Sequence, residues 1–115
     1  MKILIVDDEA INRTLLTNML YNAGYKECIE AVDGVEAIKK FTHEKPDLVL
    51  LDVVMPGLSG FDVAPKIRKL AKGPYLPILF ITALEDKESF DIYIIGSKKN
   101  LNLKILEIQK IISSH

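Results

Sequence analysis

Short unbroken apolar runs alternate with amphipathic stretches from Lys2 to Ala83. Ile3-Leu4-Ile5-Val6, Asp47-Leu48-Val49-Leu50-Leu51-Asp52 and Pro77-Ile78-Leu79-Phe80-Ile81 are each bounded by turn residues or charge. Runs of that length read as strands buried on both faces, the kind a parallel sheet requires. Lys26 to Ala31 is less apolar and predicts a strand at the sheet edge. Between the runs lie three stretches at helical spacing. Ala10 to Ala23 carries Ile11, Leu15, Leu16, Met19 and Leu20 and stops at Gly24; Val35 to Thr42 turns Ile38 and Phe41 inward; a third begins after Ser59-Gly60 and runs to about Ala71. Pro65 lies within the third, where proline removes a backbone hydrogen bond, so that helix is expected to start late, near Phe61 or Asp62, or to kink. Strict alternation of strand and helix means βαβ units with helices on both faces. Right-handed crossovers then put the carboxyl ends of the strands on one edge.

A length of 115 residues predicts one domain, and 49% hydrophobic content supplies its core. The net charge of −1 offers no general nucleic-acid or membrane-surface binder. Cys28 is the one cysteine, so an intrachain disulfide is excluded and a reducing compartment fits; a small core residue is its expected role. No run is long enough to span a membrane, and a cytoplasmic location is expected. His43 and His115 show no metal-ligand spacing.

Chemistry collects at the strand ends. The first strand ends in Asp7-Asp8-Glu9, the third in Asp52, the fourth in Thr82-Ala83. Open α/β sheets place their sites outside the carboxyl ends of their strands. Converging carboxylates repel unless a cation sits among them. Hard oxygen donors in a small site suit Mg²⁺, which binds through one or two carboxylates together with waters and phosphate oxygens. A carboxylate is also a nucleophile toward phosphorus, giving an aspartyl phosphate. Thr82 can donate one hydrogen bond to such a group, and a lysine ammonium would add positive charge.

These residues resemble the receiver domain of two-component response regulators. The matching pieces are Ile3 to Glu9, Gly24-Tyr25, Ala31 to Ala37, Pro46 to Asp52, Met55-Pro56-Gly57, Gly60-Phe61 and Pro77 to Ala83, in order and in register. The resemblance implies one receiver domain over residues 1–115. Its fold would be a doubly wound, flavodoxin-like α/β three-layer sandwich with a parallel five-stranded sheet. It implies that Asp52 accepts a phosphoryl group from a histidine kinase or phosphotransfer protein. Asp7, Asp8, Asp52 and the backbone carbonyl of Val54 would hold Mg²⁺. Thr82 and the small Ala83 would face the phosphoryl group, and a switch aromatic would follow Thr82 inward.

The resemblance weakens after Ala83. The family's Lys-Pro dipeptide is missing, and the region from the fourth strand to the last helix is short. Two placements compete. In the preferred one, Ile92 to Ile95 is the fifth strand, Tyr93 is the switch aromatic, Lys99 (alternatively Lys98) is the site lysine, and the last helix starts at Asn102. In the other, Asp86 to Ile95 is a helix, Asn100 to Lys104 the fifth strand, and Lys104 the lysine. A shortened helix would uncover apolar sheet surface for a homodimer or another partner.

Three function classes remain in view. The leading one is a phosphorylation-activated receiver, catalysing only its own phosphorylation and dephosphorylation, and acting on a downstream protein or a fused output domain without touching nucleic acid itself. The second is a receiver that binds a partner without phosphorylation; the acidic residues argue against it and the missing Lys-Pro for it. The third is a small Mg²⁺-dependent phosphatase, which lacks a general acid because Val54 holds the position two after Asp52. A flavodoxin is disfavoured by Asp-Asp-Glu where a phosphate loop would lie. Val54 and Leu84 cannot orient a water, so slow self-dephosphorylation is expected.

Overall fold

The computed structural model describes residues 1–71, 76–83, 90–94 and 100–103, with side chains over 1–71 and 76–81. The elements are β1 (Lys2–Val6), α1 (Ala10–Asn22), β2 (Glu27–Ala31), α2 (Gly34–Glu44), β3 (Leu48–Asp52), α3 (Gly60–Leu70), β4 (Ile78–Ala83), β5 (Phe90–Ile94) and β6 (Asn100–Leu103). The sheet order is β2-β1-β3-β4-β5-β6, and the first four of these strands are mutually parallel.

The apolar runs become central strands because both faces are covered. Ile3 and Ile5 of β1, with Leu48 and Leu50 of β3, face Leu16 and Leu20 of α1. Leu4, Val6, Val49 and Leu51 point the other way, toward Ala37 and Phe41 of α2 and Val63 and Ile67 of α3. Burial of each such side chain contributes roughly 1.5–3 kcal/mol. β2 is an edge strand, as its polar composition predicts.

The helix ends are written locally. Asp33 caps α2, its side chain accepting from the Glu36 amide at 2.8 Å. Ser59 and Asp62 form a reciprocal capping box on α3. With its first turn so fixed, α3 begins at Gly60, earlier than Pro65 alone suggests. Pro65 lies in the second turn, and the helix continues past it to Leu70.

The sheet departs from the five parallel strands expected. Among the described residues it has six strands, and β5 is antiparallel to β4 and β6 antiparallel to β5. Six residues separate β4 from β5. A parallel return needs a crossover of a dozen residues or more, whereas an antiparallel neighbour needs only a turn. Both competing segments after Ala83 are therefore strands in part. The alternative helix over Asp86 to Ile95 does not form across 90–94, where β-branched Ile92 and Ile94 favour the strand. The last helix, expected from Asn102, does not start there, because Asn102 and Leu103 belong to β6 and pair with Asp91 and Phe90; the rest of its expected span lies outside the described residues.

Candidate functional site

Register brings the strand ends together. Val6, the last residue of β1, pairs with Leu51, and Asp52 pairs with Ile81. Asp7 and Asp52 are thus the next residues along two adjacent parallel strands, and Thr82 is one residue beyond the partner of Asp52. Carboxylate oxygens of Asp7, Asp8 and Asp52 lie within 4.8 Å of one another. Asp7 is buried, Asp52 half-buried and Asp8 exposed, so the cluster opens to solvent on the Asp8 side.

Each acid is oriented by backbone. The Asp7 amide donates to the Ala31 carbonyl at 3.1 Å, and Asp7 Oδ1 accepts from the Glu9 amide at 2.9 Å. Asp52 Oδ1 accepts from the Val54 amide at 3.3 Å. The turn after Asp52 is tied back twice: Val53 donates to Ile81 at 3.3 Å and Gly60 donates to the Val53 carbonyl at 3.0 Å. Gly60 approaches so closely that a Cβ there would lie 2.2 Å from the Asp52 carbonyl oxygen. Gly57, at φ +79°, supplies the left-handed step of this turn.

The electrostatics reflect three acids in one cleft. Burial pushes the Asp52 carboxyl up to about 7, the negative charge of Asp7 adds to it, and the Val54 amide opposes it. Asp7 is also raised, first by burial; the Glu9 amide and Asn12 counter this, and the charges of Asp8 and Glu9 add to it. A divalent cation relieves both effects at once. Three hard oxygen donors within reach of one point, one open side for water, and carboxylates that resist sharing the site as bare anions together fit Mg²⁺.

Of the other predicted residues, Val54 follows Asp52 in the turn and its side chain is 72% exposed. Thr82 and Ala83 close β4, with Thr82 paired to Asp91 in register. Tyr93 lies on β5 opposite Phe80, and β5 runs away from the Asp52 edge toward Leu79. Lys98, Lys99 and Lys104 lie outside the described residues.

Two residues of α1 join the site without having been read from the sequence. Asn12 is buried beside Asp7, and its Oδ1 has no hydrogen-bond partner among the described residues. Arg13 Nη1 donates to the Asp7 carbonyl at 2.8 Å. A signal for Asn12 exists: with Leu16 and Leu20 it falls on one i, i+4, i+8 stripe, the stripe that is buried. Ile11, expected inside, is 71% exposed.

The response regulator receiver domain family matches residues 3–110. The alkaline phosphatase synthesis transcriptional regulatory protein PhoP of Bacillus subtilis is 47% identical over 90 residues, 78% of this chain and 35% of that protein. The chemotaxis protein CheY of Listeria monocytogenes is 36% identical over 84 residues, 73% of this chain and 69% of that protein. Among solved structures, response regulator protein TrrA from Thermotoga maritima, in complex with Mg²⁺-BeF, is 47% identical with a TM-score of 0.66, covering 75% of this chain and 73% of that one. The chain spans about a third of the length of PhoP and of the transcriptional regulator ycf27 of Porphyridium aerugineum.

Proposed function

Because this chain belongs to the response regulator receiver family, we propose that it is a Mg²⁺-dependent phosphoryl acceptor in two-component signalling, with Asp52 as the acceptor. The observation that carries this reading is the meeting of Asp7, Asp8 and Asp52 at one sheet edge, within 4.8 Å.

Asp7, Asp8 and Asp52, with the Val54 carbonyl, would hold Mg²⁺, which supplies charge neutralisation for the phosphoryl oxygens. An Asp52 carboxylate oxygen attacks phosphorus. The P–N bond of a phosphohistidine on a histidine kinase or phosphotransfer protein breaks, and the imidazole leaves with the bonding pair. The Val54 amide holds Oδ1 of Asp52, so Oδ2 is the oxygen left to attack. Thr82 donates to the phosphoryl group, and Ala83 leaves room beside it. A lysine provides fixed positive charge there; alanine at Lys98, Lys99 and Lys104 in turn, scored by uptake rate, tells which. Water attack on the acyl phosphate returns Asp52 and inorganic phosphate. Val54 projects into solvent with an apolar side chain that cannot orient that water, so the phosphoryl group is long-lived. The output is a protein contact or a fused domain, in the cytoplasm, and no external product is made.

The test is intact mass after incubation with acetyl phosphate, with and without Mg²⁺, on wild type and Asp52→Asn. The expected result is a Mg²⁺-dependent gain of one phosphoryl group, lost in the variant. No gain by a folded, Mg²⁺-binding wild type would replace this reading with a phosphorylation-independent binding module.

A further inference from the structure

The first turns of α1 do more than carry the chain away from Asp7. Arg13 is largely buried, its side chain 14% exposed. Its guanidinium reaches in two directions. Nη1 donates to the Asp7 carbonyl at 2.8 Å, and Nε pairs with Glu30 Oε1 at 3.1 Å. Glu30 stands on β2 immediately before Ala31, the residue whose carbonyl accepts the Asp7 amide at 3.1 Å. One planar fork therefore ties the Asp7–Asp8 peptide, through the Asp7 carbonyl, to the Glu30 side chain on β2. Asp7 is then held at three polar groups: its amide by Ala31, its carbonyl by Arg13, and Oδ1 by the Glu9 amide. Beneath it sits Asn12, buried on the same helix.

We infer that Arg13 is a positioning residue for the cation site, fixing the peptide plane of Asp7 so that its carboxylate stays aimed at Asp8 and Asp52. The inference rests on the proposed Mg²⁺-dependent function. Arg13 does not belong to the acidic cluster, and it acts through a backbone carbonyl, which carries no titratable charge. Partners behind a metal ligand set its direction, and their loss typically weakens metal binding by about 10–100-fold. The exposed Glu30 arm contributes less, because a surface carboxylate paired at one oxygen is readily replaced by water. The guanidinium fork is what a lysine cannot reproduce in full, since an ammonium is a single compact donor.

The experiment is Mg²⁺ titration of the full chain by calorimetry, followed by the rate of acetyl phosphate uptake at limiting and saturating Mg²⁺. Arg13→Met, which keeps the aliphatic stem, is expected to raise the Mg²⁺ Kd about tenfold. At saturating Mg²⁺ its uptake rate should return to within about twofold of wild type, because no group touching phosphorus has changed. Glu30→Gln should keep the wild-type Kd, although it loses the same ion pair. A general structural role would lower the unfolding midpoint of both variants and would not separate affinity from rate. Arg13→Lys should fall between, with a Kd about threefold weaker than wild type. If Arg13→Met does not fold, Arg13→Lys carries the test. Wild-type Mg²⁺ affinity in a folded Arg13→Met, or in Arg13→Lys where that decides, overturns the inference and leaves the function standing. Absence of Mg²⁺ binding by wild type overturns both.

Discussion

Replacing Asp52 with asparagine should stabilise the metal-free protein, and the size of the gain follows from the site. The Asp52 carboxyl is pushed up to about 7 from an ordinary 3.8, first by burial and then by the charge of Asp7. Its folded state therefore keeps a proton over a range in which the unfolded chain has lost it. That contribution to stability is complete below the unfolded value and is lost as pH rises through the folded one, so metal-free wild type weakens between about pH 4 and pH 7 and levels off above. One pKa unit corresponds to about 1.4 kcal/mol, which caps the loss near 4 kcal/mol. Solvent reaches a half-buried carboxylate and screens it, and about 2 kcal/mol is the expected figure. The asparagine amide would carry no charge into the cleft and would keep an acceptor for the Val54 amide. Urea unfolding followed by circular dichroism, in the presence of a chelator, measures the difference. Asp52→Asn should exceed wild type by about 2 kcal/mol at about pH 8, or roughly 10 °C in Tm, and should match it at about pH 4. Excess Mg²⁺ should then raise wild type more than the variant and narrow the gap. A variant no more stable than wild type at about pH 8 without metal would refute the claim that the three carboxylates oppose one another.

The same titration makes Mg²⁺ binding release protons. The Mg²⁺ Kd should fall as pH rises through about 7, and calorimetry in two buffers of different ionisation enthalpy should detect the released proton. Gly60→Ala would place a Cβ 2.2 Å from the Asp52 carbonyl oxygen. Backbone must move to admit it, so a loss of about 1–3 kcal/mol in urea unfolding is expected, accompanied by weaker Mg²⁺ binding. Leu50→Ala, on the α1 side of β3 at 1% exposure, should cost about 2–5 kcal/mol while leaving the Mg²⁺ Kd of the folded fraction unchanged. A Kd change there would mean that the strand end is not rigidly held.

The central parallel strands were legible because burial on both faces demands a near-continuous apolar composition. Ile3 to Val6 and Leu48 to Leu51 are apolar without a break, and no register or partner need be known to read them as central. β2 announced its edge position by the opposite sign, with Glu27 and Glu30 in five residues. The direction of β5 was not legible in the same way. Apolar composition reports burial, not polarity of pairing, and Ile92-Tyr93-Ile94 would look alike in either direction. Direction follows from connection length, and a six-residue link after Ala83 already excludes a full crossover.

The site divides along a similar line. Asp7 and Asp52 were legible because an ionised side chain at the end of a buried strand has no structural use that an apolar or hydroxyl residue would not serve at lower desolvation cost, and the exposed Asp8 was legible from its place beside Asp7. Asp7 and Asp52 each carry their own anomaly. Arg13, Asn12 and Gly60 carry none when read singly, since an arginine, an asparagine and a glycine near helix starts are ordinary. Their roles exist only as relations: a guanidinium across to a carbonyl six residues back, an amide on the buried stripe of α1, a missing Cβ against a peptide in another element. Residues that create the cleft's charge are therefore open to sequence reasoning, whereas residues that aim it become visible only with the fold. It follows that substitutions in the first group should change whether the cleft holds Mg²⁺ at all, and substitutions in the second should change how tightly.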